Sequence, residues 1–180
     1  MIREIREKIK DAILVDNDYM FAGFANVSVN PMIGVVVDMD DMEIPVFPAD
    51  TFGNFFYLRS DGDVKFGGSI GTGVSDDNSA LGVSFGLVLV ACVKDADEDS
   101  LLNNMLNTLI DYQNDYWIEV ASADVNKYNV VAKELSGMDS ESKMKALSNI
   151  PKESTIISIK LNIRTIFNKS NCKNEIICRC

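Results

Sequence analysis

Val88-Leu-Val-Ala-Cys-Val-Lys94-Asp-Ala-Asp-Glu-Asp99-Ser-Leu-Leu-Asn-Asn-Met-Leu-Asn-Thr-Leu-Ile-Asp-Tyr112 is the stretch whose reading decides the fold. It opens on an apolar, valine-rich run, passes through five residues of which four are carboxylates, and continues as a leucine-rich amphipathic segment. The apolar run extends back to Ser79. Leu81, Val83, Phe85, Leu87 and Leu89 alternate onto one face, while Gly82, Ser84 and Gly86 make the other face small enough for close contact with a helix or a second sheet. A long strand over 79–94 follows. The carboxylates mark a helix start, because free N–H groups and the positive end of the helix dipole lie there. Leu101, Leu102, Met105, Leu106, Leu109 and Ile110 then recur at helical spacing, which predicts a helix over 100–112.

Upstream, Ile2, Ile5, Ile9, Ala12 and Ile13 sit at helical spacing among Arg, Glu and Lys, with Glu4–Lys8 and Glu7–Lys10 able to pair on the surface. Residues 16–31 read as a loop carrying at most one short strand, and Met32–Asp38 as a buried β-branched strand. Met39–Asp50, acidic and with two prolines, reads as loop. Thr51–Arg59 and Val64–Phe66 flank Ser60-Asp-Gly-Asp63, a hairpin signal. Gly67–Asn78 reads as a flexible segment.

Downstream, Tyr116–Val120 reads as a short strand, with a second around Tyr128–Ala132 and a polar loop with weak helical character over Ser136–Asn149. Ser154–Phe167 alternates cleanly. Ile157, Ile159, Leu161, Ile163 and Thr165 face one way, and Ser158, Lys160, Asn162, Arg164 and Ile166 the other. The expected fold class is α+β: a single domain over residues 1–167, with a mostly antiparallel sheet on which the N-terminal helix and the central helix pack. Residues 168–180 form a polar, cysteine-containing tail.

Composition narrows the chemistry. The chain has 180 residues, no histidine and a formal net charge of −10. Without histidine there is no Ser-His-Asp or Cys-His arrangement, no HExxH zinc site and no imidazole proton shuttle. The acidic balance opposes general binding to nucleic acid by phosphate neutralisation. The charged N-terminus lacks a signal-peptide core, and the longest apolar run, Leu81–Val93, is too short and too interrupted to span a bilayer. A soluble protein made in the cytosol, with no membrane contact, is expected.

No residue constellation points to catalysis, a metal or a cofactor. Cys92 lies in an apolar run and reads as a small packing residue, while Cys172, Cys178 and Cys180 supply three thiols at poor zinc spacing. Gly67-Gly-Ser-Ile-Gly-Thr-Gly73 lacks the P-loop lysine and has its glycines in the wrong order for a dinucleotide fingerprint. Asp38, Asp40, Asp41 and Glu43 do not meet the EF-hand pattern, and no serine stands in a GxSxG elbow. Phe52, Phe55, Phe56 and Tyr57 read as core with one exposed aromatic rather than as a binding platform.

Charge is unevenly spread. Residues 1–60 carry 5 basic and 10 acidic side chains, residues 61–120 carry 2 and 11, and residues 121–180 carry 10 and 6. An acidic middle and a basic last third offer unlike surfaces through which copies can meet. Lys160 and Arg164 on one side, and Asp95, Asp97 and Glu98 on the other, are the candidate assembly residues.

The MIREIREKIKDAI helix, the buried strand and hairpin, the VLVACVKDADEDSLLNNMLNTLIDY junction and the late amphipathic strand together resemble the tail-terminator, or tail-completion, proteins of tailed bacteriophages. The resemblance covers roughly residues 1–167. It implies a structural role: a ring, commonly a hexamer, that sits on the last ring of the tail tube, stops its polymerisation and faces the head-to-tail connector protein. DNA would pass through the lumen without specific binding, and the protein would be assembled in the host cytoplasm and found in the virion. The alternatives are a partner-binding adaptor or another head–tail connector module without catalysis, and an enzyme with a carboxylate or metal site, for which the sequence gives no positive sign.

Overall fold

The computed structural model describes residues 2–16, 18–27, 35–39, 42–47, 53–67, 80–111 and 117–168. The elements in chain order are α1 (Ile2–Asp16), β1 (Met20–Val27), β2 (Val35–Met39), β3 (Met42–Phe47), β4 (Phe55–Phe66), β5 (Ala80–Lys94), α2 (Glu98–Asp111), β6 (Trp117–Asp124), α3 (Lys127–Glu134), α4 (Ser140–Asn149) and β7 (Ser154–Asn168). The strands form a seven-stranded sheet in the order β3-β2-β1-β4-β5-β7-β6. Every neighbouring pair is antiparallel except β1 with β4. The expected α+β architecture, a mostly antiparallel sheet carrying the N-terminal and central helices, is the observed one.

β5 and β7 are the spine. They pair over fifteen consecutive positions, from Ala80 opposite Asn168 to Lys94 opposite Ser154. The period-two alternation read from the sequence becomes a dry layer on one face. Phe85, Leu87, Leu89, Ala91 and Val93 of β5 and Ile157, Ile159, Leu161 and Ile163 of β7 meet Ile5, Ile9 and Ile13 of α1 and Leu101, Met105 and Leu109 of α2. Each of these nine strand residues is almost wholly removed from water. At roughly 1.5–3 kcal/mol for each large aliphatic side chain, this face supplies most of the hydrophobic drive for folding.

The opposite face carries a second, smaller cluster. Phe55, Tyr57, Val88, Val90, Cys92 and Ile156 are covered by Val130, Val131, Leu135, Met138, Ala146 and Ile150. These last residues belong to the segment between β6 and β7, so helices pack on both faces of the sheet. This corrects one expectation and sharpens another. Tyr128–Ala132 lies in helix α3, not in a strand, and the weak helical character read within 136–149 is the helix α4. Asn126 starts α3, its side chain accepting hydrogen bonds from the backbone of Tyr128 and Asn129, and Asp139 caps α4 by accepting from Ser142. Val130, Val131, Glu134, Leu135 and Met138 then fall on one side of the α3 turn, a 3.6-residue pattern that overrides the β preference of Tyr and Val.

Three further differences are local. Ser60–Asp63 is not a hairpin turn: β4 runs on to Phe66 with a register shift between Asp61 and Lys65, and Gly62 takes a positive φ of 74° inside that irregularity. The segment expected as loop after Met39 contains β3, paired to β2 and placed at the sheet edge, where Pro45 is tolerated because no further strand needs its N–H. The one short strand allowed within 16–31 is β1, longer than expected at eight residues. The strand read at 32–38 is placed at Val35–Met39, and the last strand reaches Asn168, one residue into the expected tail. The 68–78 part of the glycine-rich segment and the tail from 169 lie outside the described residues.

Phe55, Phe56 and Tyr57 are buried, in line with the core reading of that aromatic group, and no one of the three is exposed. Phe52 lies outside the described residues.

Candidate functional site

Among the described residues, the face that holds α3 and α4 is only half covered. Three rows of residues cross β4, β5, β7 and β6 in register, and partners in register share a face. Lys65, Ser84, Arg164 and Trp117 form the row nearest one end of the sheet. Asp61, Gly86, Asn162 and Glu119 form the next, followed by Arg59, Val88, Lys160 and Ser122. In that row the face turns apolar at Val88 and continues through Tyr57 and Val90 beneath the helices. The uncovered part is an open concavity of about 490 Å³ bordered by Asp61, Lys65, Ser84, Gly86, Lys160 and Arg164.

Each row carries one sign of charge and the sign alternates from row to row, basic, acidic, basic; most of it is satisfied within the chain. Lys160 Nζ lies 2.6 Å from Asp61 Oδ2, and Arg164 donates to Glu119 Oε2 at 3.4 Å. All four side chains are at least partly solvated, so each pair contributes at most about 1 kcal/mol. The arrangement depends on Gly86. A Cβ there would collide with the backbone carbonyl oxygen of Asp61, because the β4 irregularity leans across β5 at that point.

Where the open rows meet the helical cover stands a buried polar cluster. Arg59 donates to Glu134 through Nε, 2.9 Å from Oε2, and through a terminal nitrogen, 2.7 Å from Oε1, while the Tyr57 hydroxyl donates to Oε2 at 2.9 Å. The Glu134 side chain is 1% exposed and that of Arg59 18%. A bidentate pair of this kind fixes α3 over β4 in one position. Burial raises the Tyr57 pKa well above the usual tyrosine range, and the adjacent Glu134 charge raises it further. Burial, the largest single influence, works against the Arg59 charge, but the Glu134 hydrogen bonds and the charges of Glu134, Tyr57 and Asp61 together outweigh it, and the net shift is upward. Sequence inspection missed this cluster, since Tyr57 and Glu134 stand 77 positions apart. A carboxylate at the end of the apolar stripe Val130–Val131–Leu135 was the available signal.

The predicted assembly acids lie at the other end of the sheet. Asp95 adopts φ 55° and turns the chain out of β5, with its N–H bonded to the Glu153 carbonyl at 3.0 Å. Asp97 precedes α2, and its Oδ2 accepts from the Ser100 N–H at 3.0 Å and the Ser100 hydroxyl at 2.9 Å. The backbone bond first, then the hydroxyl, holds the Asp97 pKa below the usual carboxylate range. Glu98 stands in the first turn of α2. The acidic helix start read from the sequence is therefore present. Ten residues of β5 run from Ser84, beside Arg164, to Lys94, and six from Val88, beside Lys160, so the acids stand roughly 30 Å from Arg164 and roughly 20 Å from Lys160 within one chain. The structure brings Lys160 and Arg164 together on one face and keeps Asp95, Asp97 and Glu98 away from them.

Cys92 is buried, and burial raises its thiol pKa, which suits a packing residue. Among the described residues no group of three or more Cys, Asp or Glu side chains is placed to hold a metal ion. No helix among them is long and apolar enough to cross a membrane. Asp40 and Asp41 lie outside the described residues. No protein-family model matches the chain, and no curated protein matches it.

Proposed function

We propose that this chain is a virion structural protein of tail-terminator type, whose copies form a ring that caps the tail tube and offers its other face to the head-to-tail connector. The observation that carries this reading is the β5–acidic cap–α2 junction set beside α1, with the late amphipathic strand β7 as its partner. These elements are part of the order on which the resemblance to tail terminators rests, which also includes a hairpin read at Ser60–Asp63 that β4 runs through instead. Six copies would make the ring in the family pattern, DNA would pass through the lumen without specific binding, and no catalytic step or cofactor is involved. The protein would act in the virion after assembly in the host cytoplasm.

The positions of the candidate interface residues support a ring over a closed pair. Arg164 lies toward one end of the sheet with Lys160 near the middle of β7, and Asp95, Asp97 and Glu98 lie at the other end. A contact between the two sets joins unlike surfaces of different copies, which is the heterologous geometry that closes rings. Because Lys160 and Arg164 already have partners in Asp61 and Glu119, such a contact would add carboxylates to existing pairs.

Negative-stain electron microscopy of the purified protein tests the reading directly. Rings with a central hole are expected. A strictly monomeric protein at high concentration that is also missing from purified particles overturns it. The paired variant Lys160→Glu with Arg164→Glu should disperse the rings, whereas unaltered rings would remove this face from the interface.

A further inference from the structure

The concavity over β4, β5 and β7 has an excess of basic side chains. Lys65, Lys160 and Arg164 line it, against Asp61 and Asp63. Lys160 holds Asp61. Lys65 has no acidic side chain paired with it among the described residues, and Arg164 reaches Glu119 only at 3.4 Å, with 56% of its side chain exposed. Lys65, Ser84 and Arg164 stand in register on neighbouring strands. At about 4.8 Å between strands, the two cations rise from the sheet roughly 10 Å apart, with the short Ser84 side chain between them.

The start of α2 has the opposite excess. Asp95, Asp97, Glu98 and Asp99 are all exposed. Asp97 accepts from Ser100, and none of the four has a basic side chain paired with it among the described residues, the neighbouring Lys94 included. Four solvated carboxylates within five residues repel one another, and a cation from outside relieves that repulsion. The end of a helix is about 10–12 Å across with its side chains, close to the span between Lys65 and Arg164.

The two surfaces cannot meet within one chain. Ten residues of β5 run from Ser84 to Lys94, which holds the acids roughly 30 Å from the Lys65–Arg164 row. The unmatched cations and the unmatched acids complement one another only between copies, which makes a second copy of this chain the occupant of the concavity.

We infer that the α2 start of one copy seats in the β4–β5–β7 concavity of the next, with Glu98 and Asp99 at Lys65 and Arg164, above Ser84. The inference rests on the head-to-tail assembly proposed above and deepens it, since it gives the concavity its occupant and makes Lys65 a residue that selects the contact. The contact joins unlike surfaces and leaves both used surfaces free at the ends of an open row of copies. Its charges are solvated, so added salt weakens it.

The test uses the full chain with Cys172→Ser, Cys178→Ser and Cys180→Ser, so that the tail thiols do not interfere. Ser84→Cys and Ser100→Cys are made in separate chains of that background. Mixed and mildly oxidised, they should give a covalent heterodimer, and neither should give a comparable homodimer alone. Met144→Cys, exposed on α4, should cross-link to Ser84→Cys at least about tenfold less. A second measurement needs no thiol. Lys65→Glu should weaken self-association at least about fivefold in sedimentation velocity at low salt, and Asp99→Lys added to the same chain should restore it. No heterodimer, an equal yield of Ser84→Cys homodimer, or an equal yield with Met144→Cys would each overturn the inference. So would unchanged association in Lys65→Glu, or no recovery with Asp99→Lys. Rings without the 84–100 bridge would refute this contact and leave the ring standing. Bridged open rows without rings would refute the ring and leave this contact standing.

Discussion

β5 and β7 present one face with two surfaces. Toward the end where Lys94 meets Ser154, Val88, Val90, Cys92 and Ile156 lie under α3 and α4. Toward the other end, Ser84, Gly86, Lys160, Asn162 and Arg164 are left as an open, charge-striped floor. The strands, the pairing and the pleat are the same, so the difference lies in the side chains alone. Where the residues are apolar, the 125–153 segment folds over them. Where they are small or charged, it stops. The boundary is marked by the Tyr57–Arg59–Glu134 cluster, where a buried charge is accepted and holds the cover in position.

The largest test of this contrast is at the boundary. Glu134→Ala leaves the Arg59 guanidinium part-buried without its carboxylate and the Tyr57 hydroxyl without its acceptor. A loss of about 3 kcal/mol in urea unfolding is expected, with faster amide exchange in α3 and α4 than in α1 and α2. Uniform exchange across all four helices would show that the cover is not a separately anchored unit. Next comes Gly86→Ala, which forces the Asp61 backbone away from β5 and should cost roughly 2 kcal/mol, against little change for Ser84→Ala in the same face.

The covered half also predicts a response to alkali. Tyr57 has a folded-state pKa raised by burial and by Glu134, so its contribution to stability is complete below the ordinary tyrosine range and is lost as pH rises through and beyond it. Tyr57→Phe should flatten the alkaline limb of a pH–stability profile measured by thermal melting. Acid acts elsewhere. Asp139 is held below the usual carboxylate range by the Ser142 hydroxyl and then by its N–H, and Asp124 chiefly by Lys133. Their contributions are present above the ordinary carboxylate range and fade as pH falls through it. Asp139→Ala should lower the melting temperature at neutral pH and change it little in acid.

The smallest effect belongs to the open half. Lys160→Ala removes a solvated pair with Asp61 and should change stability by under about 1 kcal/mol. A drop of several kcal/mol would mean that the open floor contributes to folding as much as the covered half does.

This contrast also explains what the sequence made legible. The α1–α2 face follows a single period in each element, so Ile5, Ile9 and Ile13, or Leu101, Met105 and Leu109, announce their helices without reference to anything else. The other face changes character halfway along β5, and alternation alone does not say where a cover begins. Tyr128-Asn-Val-Val131 has the local preferences of a strand, and its helix is decided by Asn126 at the cap and by contacts to residues on β4 and β5. Asp61-Gly62 resembles a hairpin turn, but the carbonyl of Asp61 packs onto Gly86, and β4 continues along β5. Among the candidate site residues, the cap role of Asp97 was readable from spacing. The pairing of Lys160 with Asp61 and of Arg164 with Glu119 was not, since it is created by register between strands distant in sequence.

The position of β7 has a consequence for synthesis. Residues 154–168 are an interior strand, hydrogen-bonded to β5 on one side and to β6 on the other. Until they leave the ribosome, β5 has an open edge and β6 has no neighbour to hold it. The sheet therefore closes late, by insertion of the latest-made of the described strands between two earlier ones. A nascent chain stalled before Ser154 would hold the helices and the β1–β5 half but would leave Phe85, Leu87 and Leu89 poorly covered, and it would depend on chaperones until release.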